Sequence, residues 1–170
     1  MTEPARLELL RLAQDALVRL APTLPAEAVA LLVRLHADVP SAEFEPPEAM
    51  AAGAASLFTL ARDRPAGTAR LRLLPPAAVG GPHAVVEIVT DDMPFLVDSV
   101  LGALARQGRV LRQLLHPVLA VRRNAAGRLL ALEEGQDTVA ESMMRITLGA
   151  APATLLAGQP GAASGDWVAL

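Results

Sequence analysis

The run His83–Thr90, HAVVEIVT, constrains this chain more than any other segment. Its density of β-branched residues reads as a strand buried on one face or on both. Asp91-Asp92-Met93-Pro94 follows at once, and it ends the strand and opens a helix. An aspartate cap would satisfy orphan amides there, and a first-turn proline needs no amide partner. The helix is expected from about Pro94 to Gln107, with Leu96, Val97, Val100, Leu101 and Leu104 inward. Gly108 is its left-handed stop.

The flanking segments extend this strand–helix unit. Arg109–Arg123 reads as one long strand interrupted at His116-Pro117, where the missing N–H implies an edge or a bulge. Asn124-Ala-Ala-Gly127 turns the chain into Arg128–Glu133, a hairpin, and a polar stretch follows over Glu134–Ala140. Ser142–Leu148 alternates Met144, Ile146 and Leu148 against Met143, Arg145 and Thr147. The two methionines therefore point to opposite faces, and at most one is expected in the core. Upstream, Ala69–Leu74 alternates like a half-buried strand, and Pro75-Pro76 and Gly80-Gly81-Pro82 mark a loop.

Three helical patterns come first. Residues 5–21 place Leu7, Leu10, Gln14, Leu17 and Val18 on one face; Pro25–Asp38 does so with Val29, Leu32, Val33 and His36. Pro47–Arg64 does so with Met50, Ala54, Leu57, Phe58 and Ala61. Three helices followed by β, β, α, β, β, β predict an α+β protein. It has an N-terminal helical layer over 1–66 and an incomplete ferredoxin-like sandwich with a mainly antiparallel sheet over 67–149. Residues 150–170 are rich in Gly, Pro and Ser and supply no convincing second helix. The sheet edge left by the missing half predicts self-association.

Composition removes several function classes. A net charge of −3 and four aromatic side chains offer neither a basic footprint nor stacking platforms for nucleic acid. No apolar run reaches the roughly 18–20 residues of a membrane span, and the N-terminus does not read as a secretory signal. The expectation is a cytoplasmic protein. Cysteine is absent, and His36, His83 and His116 lack metal-ligand spacing. All fifteen basic residues are arginine. No lysine Schiff base, phosphate lysine or lysine general base can exist here. Gly158, Gly161 and Gly165 do not make the dinucleotide fingerprint. No catalytic residue, metal or cofactor is assigned to this chain.

Isolated polar residues read mainly as structure. Asp91, Asp92 and Asp98 with Ser99 serve as cap and first-turn charges, and Arg106, Arg109 and Arg112 complement the helix dipole. His116 is a strand histidine at a bulge. Glu87, inside its strand, needs a partner such as Arg112 or Arg145.

Residues 85–122, VVEIVTDDMPFLVDSVLGALARQGRVLRQLLHPVLAVR, followed by NAAGRLLAL and ESMMRITL, resemble the N-terminal ACT-like region of the large bacterial NAD-specific glutamate dehydrogenases. The likeness covers roughly residues 5–148. It implies an ACT-like sandwich within a longer oxidoreductase of amino-acid catabolism. The parent reaction converts glutamate, NAD and water into 2-oxoglutarate, ammonia and NADH, with NAD bound elsewhere in the parent. This chain would then be a non-catalytic fragment with a regulatory and assembly role. Its partners would be the remainder of the dehydrogenase or a second copy joined through a sheet edge. ACT domains generally carry Asp-x-Pro-Gly-Leu between first strand and first helix, where bare amides bind a small effector, often an amino acid. The matching residues are Asp92, Met93, Pro94, Phe95 and Leu96, with Asp91 before them, and they form the candidate effector-binding or interface site. Phe95 in place of glycine favours the interface. The alternative is a stand-alone ACT-type amino-acid sensor.

Overall fold

The computed structural model describes residues 3–133 and 135–149, so the tail 150–170 lies outside the described residues. Helices α1 (Glu3–Leu20), α2 (Ala26–Leu35) and α3 (Pro47–Ala61) form the N-terminal layer. Strand β1 (Arg70–Leu74), a one-turn helix α4 (Pro76–Val79) within the expected loop, and β2 (Val85–Asp91) follow. Helix α5 (Leu96–Arg106), β3 (Leu111–Leu115), β4 (Val118–Arg123), β5 (Leu129–Leu132) and β6 (Val139–Leu148) complete it.

The long final strand organises the sheet. β6 pairs antiparallel with β2 along one side, from Val85 opposite Thr147 to Asp91 opposite Glu141. Along its other side it pairs first with β3 and then with β4. β3 and β4 are thus one strand broken at His116-Pro117, and the Pro117 carbonyl still accepts from the Met143 amide at 3.1 Å. The pairing register with β6 runs unbroken across it, so the proline stands at an edge, its outer side unpaired by any described strand; the register shift lies instead between Leu111 and Gln113. β6 lies between β2 and the strand after α5, as a split βαβ requires. It starts at Val139, so the end of the supposed polar stretch is already strand.

One expectation changes here, and one left open is decided. The outer side of β2, taken as an open edge, is filled by β1, which pairs antiparallel from Arg70 opposite Val89 to Leu74 opposite Val85. An upstream strand therefore stands where the fourth strand of a ferredoxin-like sheet would lie. The sheet is also covered on both faces. On one, Leu96, Val97, Val100 and Leu104 of α5 pack on Val86, Ile88, Met144, Ile146 and Leu148. On the other, α1–α3 join Val89, Leu115, Leu119, Val121 and Met143 in one core. Met143 and Met144 are both fully buried, each in a different core.

The helical layer also rotates relative to the sequence pattern. Leu7 and Val18 are each 58% exposed, while Ala13, Ala16 and Leu17 face inward. Ala28, Leu31, Leu32, Leu35 and His36 are buried in and just beyond α2, displacing Val29 and Val33 from the centre of its face. Alanine faces let helices approach closely, and weighting large apolar residues alone misplaces the stripe. In α3 the expected Met50, Ala54, Leu57, Phe58 and Ala61 are all buried.

Two buried ion networks fasten the helical layer to the sheet. Glu87, fully buried, accepts from Arg145 on one carboxylate oxygen; on the other it accepts from Arg72 at 2.7 Å and from the Ser56 hydroxyl of α3 at 3.0 Å. Of the partners expected for Glu87, Arg145 is the one it meets. Glu141, also fully buried, accepts from Arg123 at 2.6 and 2.8 Å and from Arg64 at 2.6 Å. Arg64 also donates to Asp91 at 2.6 Å and to the Thr68 carbonyl at 2.6 Å. Removing one buried member of such a network strands its buried partners without water.

Burial alone would raise the Glu141 carboxyl, but the arginines outweigh it and hold the group below its ordinary 4.5. The folded state then binds fewer protons than the unfolded chain in that range. The resulting stabilisation is complete above the ordinary value and fades as pH falls from there toward the lowered one.

Two outcomes follow from these networks. Glu87→Gln is expected to lower the unfolding free energy by about 3–5 kcal/mol in urea denaturation. A loss under about 1 kcal/mol would show the network to be dispensable. In thermal melts below about pH 4.5, Glu141→Gln should flatten the parent's acid-induced loss of stability; parallel curves would refute that linkage.

Candidate functional site

The turn from β2 into α5 was expected to cap the helix with aspartate, and it does something else. α5 starts at Leu96, two residues later than expected, and its N-cap residue is Phe95, with no side-chain cap bond. The two aspartates are drawn to opposite faces of the sheet by the period of the strand. Asp91 turns toward the helical layer, where it accepts from Arg64 and from the Gly67 amide at 3.2 Å. Asp92 lies toward α5 and accepts from the Ser142 hydroxyl at 2.7 Å, while its amide donates to the Ala140 carbonyl at 2.9 Å. Both carboxylates are thereby used to hold the turn on β6 and on the segment after α3.

Ser142 also lies 2.9 Å from His116 Nε2. A hydroxyl has one proton, and Asp92 as a carboxylate can only accept, so that proton goes to Asp92. His116 then carries its proton on Nε2 and donates to Ser142. Burial lowers the His116 pKa below its ordinary 6.5, against the opposing pull of Asp92, which keeps the ring neutral near pH 7. The trio has the residue types of a nucleophilic triad in the wrong order. The serine sits in the middle, is fully buried, and gives its proton to the carboxylate instead of the imidazole. Its role is a clamp joining the turn, β6 and the β3–β4 junction. His116 beside Pro117 was the sequence signal for the break between β3 and β4, but nothing in the sequence linked it to Asp92 or Ser142.

The remaining candidates divide by exposure. Leu96 packs into the α5 core. Met93 is 49% exposed and Phe95 is 78% exposed. Phe95 does not pack inward, and its backbone has φ +62°, the left-handed region that glycine occupies freely. A non-glycine residue held there costs about 1–2 kcal/mol. Val118, 48% exposed, sits at the register position opposite Ser142 on the same strand pair. Met93 and Phe95 project from a turn that is otherwise tied down.

The turn does not suit a dinucleotide. A phosphate at a strand-to-helix turn needs glycine amides open to it. Here two carboxylates flank the turn and the Phe95 side chain stands at the helix start. Among the described residues, no group of three or more His, Asp or Glu side chains could hold a metal ion. No described helix is long and apolar enough to cross a membrane.

Comparison with known proteins assigns the sequence to a family. Over 70 residues, 39% of this chain, the sequence is 40% identical to the NAD-specific glutamate dehydrogenase of Pseudomonas aeruginosa. The matched stretch spans only 4% of that protein's length. No solved structure matches. Residues 31–154, which take in the second half of α2, all of α3 and the whole sheet, match the family described as the ACT1 domain of glutamate dehydrogenase. With its β2–α5 turn and its β6-centred sheet, this chain belongs to the family of glutamate dehydrogenase ACT1 domains.

Proposed function

We propose that this domain is a non-catalytic regulatory and assembly module of a large, cytoplasmic, NAD-dependent glutamate dehydrogenase, and that Met93 and Phe95 are its contact point. The parent reaction would be the conversion of glutamate, NAD and water to 2-oxoglutarate, ammonia and NADH, carried out elsewhere in the enzyme. The observation that carries the reading is Phe95, a large aromatic side chain, 78% exposed, on a left-handed backbone. The domain gains almost no burial from that ring and bears the strain of the backbone beneath it. Strain of this kind is retained where something outside the local fold uses it. Burial of the ring against the remainder of the dehydrogenase, or against a second copy, would supply about 1.5–3 kcal/mol.

An amino-acid-sensing role at the same turn is less favoured, because Phe95 stands where bare amides would have to meet the effector. The division into a helical segment, 1–66, and an ACT-like unit, 67–149, is on this reading one of role. The helices serve as a platform that shares a core with the sheet.

Phe95→Gly in the parent enzyme tests the proposal. The isolated domain carrying it should melt at the same temperature or slightly higher, since relief of about 1–2 kcal/mol of strain is partly offset by the entropy of glycine. Assembly of the enzyme, followed by light scattering against concentration, should weaken roughly tenfold or more. Unchanged assembly together with unchanged NAD-dependent turnover of glutamate would overturn the contact role.

A further inference from the structure

On the opposite face of the sheet from α5, an open groove of about 290 Å³ lies between α3 and the loop before β2. Arg145 forms part of its wall, although only 8% of that residue is exposed. Gly53 of α3 makes room for the guanidinium: a Cβ there would lie 2.7 Å from Arg145 Nε. Among the described residues, one Arg145 nitrogen is bonded, to Glu87. Both Glu87 oxygens are already engaged, by Arg145 and by Arg72 with Ser56. This network holds two guanidiniums against one carboxylate, an excess of one positive charge. His83 lines the same groove, and its buried Nδ1 has no hydrogen-bond partner among the described residues.

We infer that this groove binds a small carboxylate, seated on the free donors of Arg145 with His83 beside it. Three physical points favour that class. The planar guanidinium fork matches a carboxylate, and a pre-positioned arginine loses little entropy on binding. The volume is at the low end for ligand pockets, which suits a molecule of a few heavy atoms. With Glu45 also on the wall the groove's formal charge sums to zero, which disfavours a compact dianion such as phosphate more than a group carrying a single negative charge. The site is separate from the Phe95 turn and does not depend on the contact role proposed for it.

The test uses the whole 170-residue chain at low ionic strength, titrated separately with acetate, succinate and inorganic phosphate. Amide NMR shifts should move at Ala49, Gly81 and Thr147 with either carboxylate and saturate with a Kd in the range of about 1–10 mM. Ala49→Glu places a competing carboxylate in the groove near the start of α3, where an acidic residue is well tolerated. Gly81→Glu does the same from the loop, where an added Cβ meets nothing within 4 Å. Each variant should weaken carboxylate binding at least about tenfold with an unchanged melting temperature. The assignment is overturned if no shifts appear by about 10 mM, if both variants bind as the parent does, or if phosphate binds more tightly than the carboxylates.

Discussion

Two carboxylates on one face of the sheet, Glu87 and Glu141, hold this domain's architecture together. Each is fully buried, and each is met by two arginines from different elements. A buried carboxylate is costly unless paired and fully hydrogen-bonded, so the elements that bring the arginines must dock for the sheet to form. Arg64 reaches Glu141 from the segment just after α3, and Ser56 reaches Glu87 from within it. The helical layer is therefore seated on the sheet by polar geometry as well as by the shared apolar core. Gly127 belongs to the same fit, since a Cβ there would meet the Arg64 carbonyl at 2.6 Å.

That seating explains how a sandwich with a single helix on one face is completed. A ferredoxin-like plan places two helices on one face, and the described residues supply only α5 there. The opposite face, which such a plan leaves to solvent or a partner, is taken by α1–α3. β1 occupies the place of the missing fourth strand. Coverage on both faces is the reason β6 is buried almost from end to end. The exposed apolar positions near the β2–α5 turn include Met93, Phe95 and Val118.

The turn shows how a shared motif can serve different chemistry. Asp92 is fixed by Ser142 and Asp91 by Arg64, so the loop keeps its shape without a glycine. Phe95 then carries the positive φ that glycine would have carried freely, and its ring is held outward at the helix start. An opening for an effector becomes a projection suited to a partner.

Much of this was legible in the residues alone, because local periodicity and turn chemistry depend on near neighbours. The β-branched run to Thr90, the stop at Gly108, the Asn124–Gly127 hairpin, the inward face of α3 and the break at His116-Pro117 all follow from such rules. Asp91 and Asp92 read as a helix cap by those rules, yet tertiary structure gave them other partners. Arg64 and Ser142 lie far away in sequence, and a carboxylate takes the strongest donor that packing brings to it. The burial of both Met143 and Met144, the inward rotation of α1 onto alanines and the capping of β2 by β1 share that origin. Each depends on which surface a distant element covers, and no local pattern carries that information.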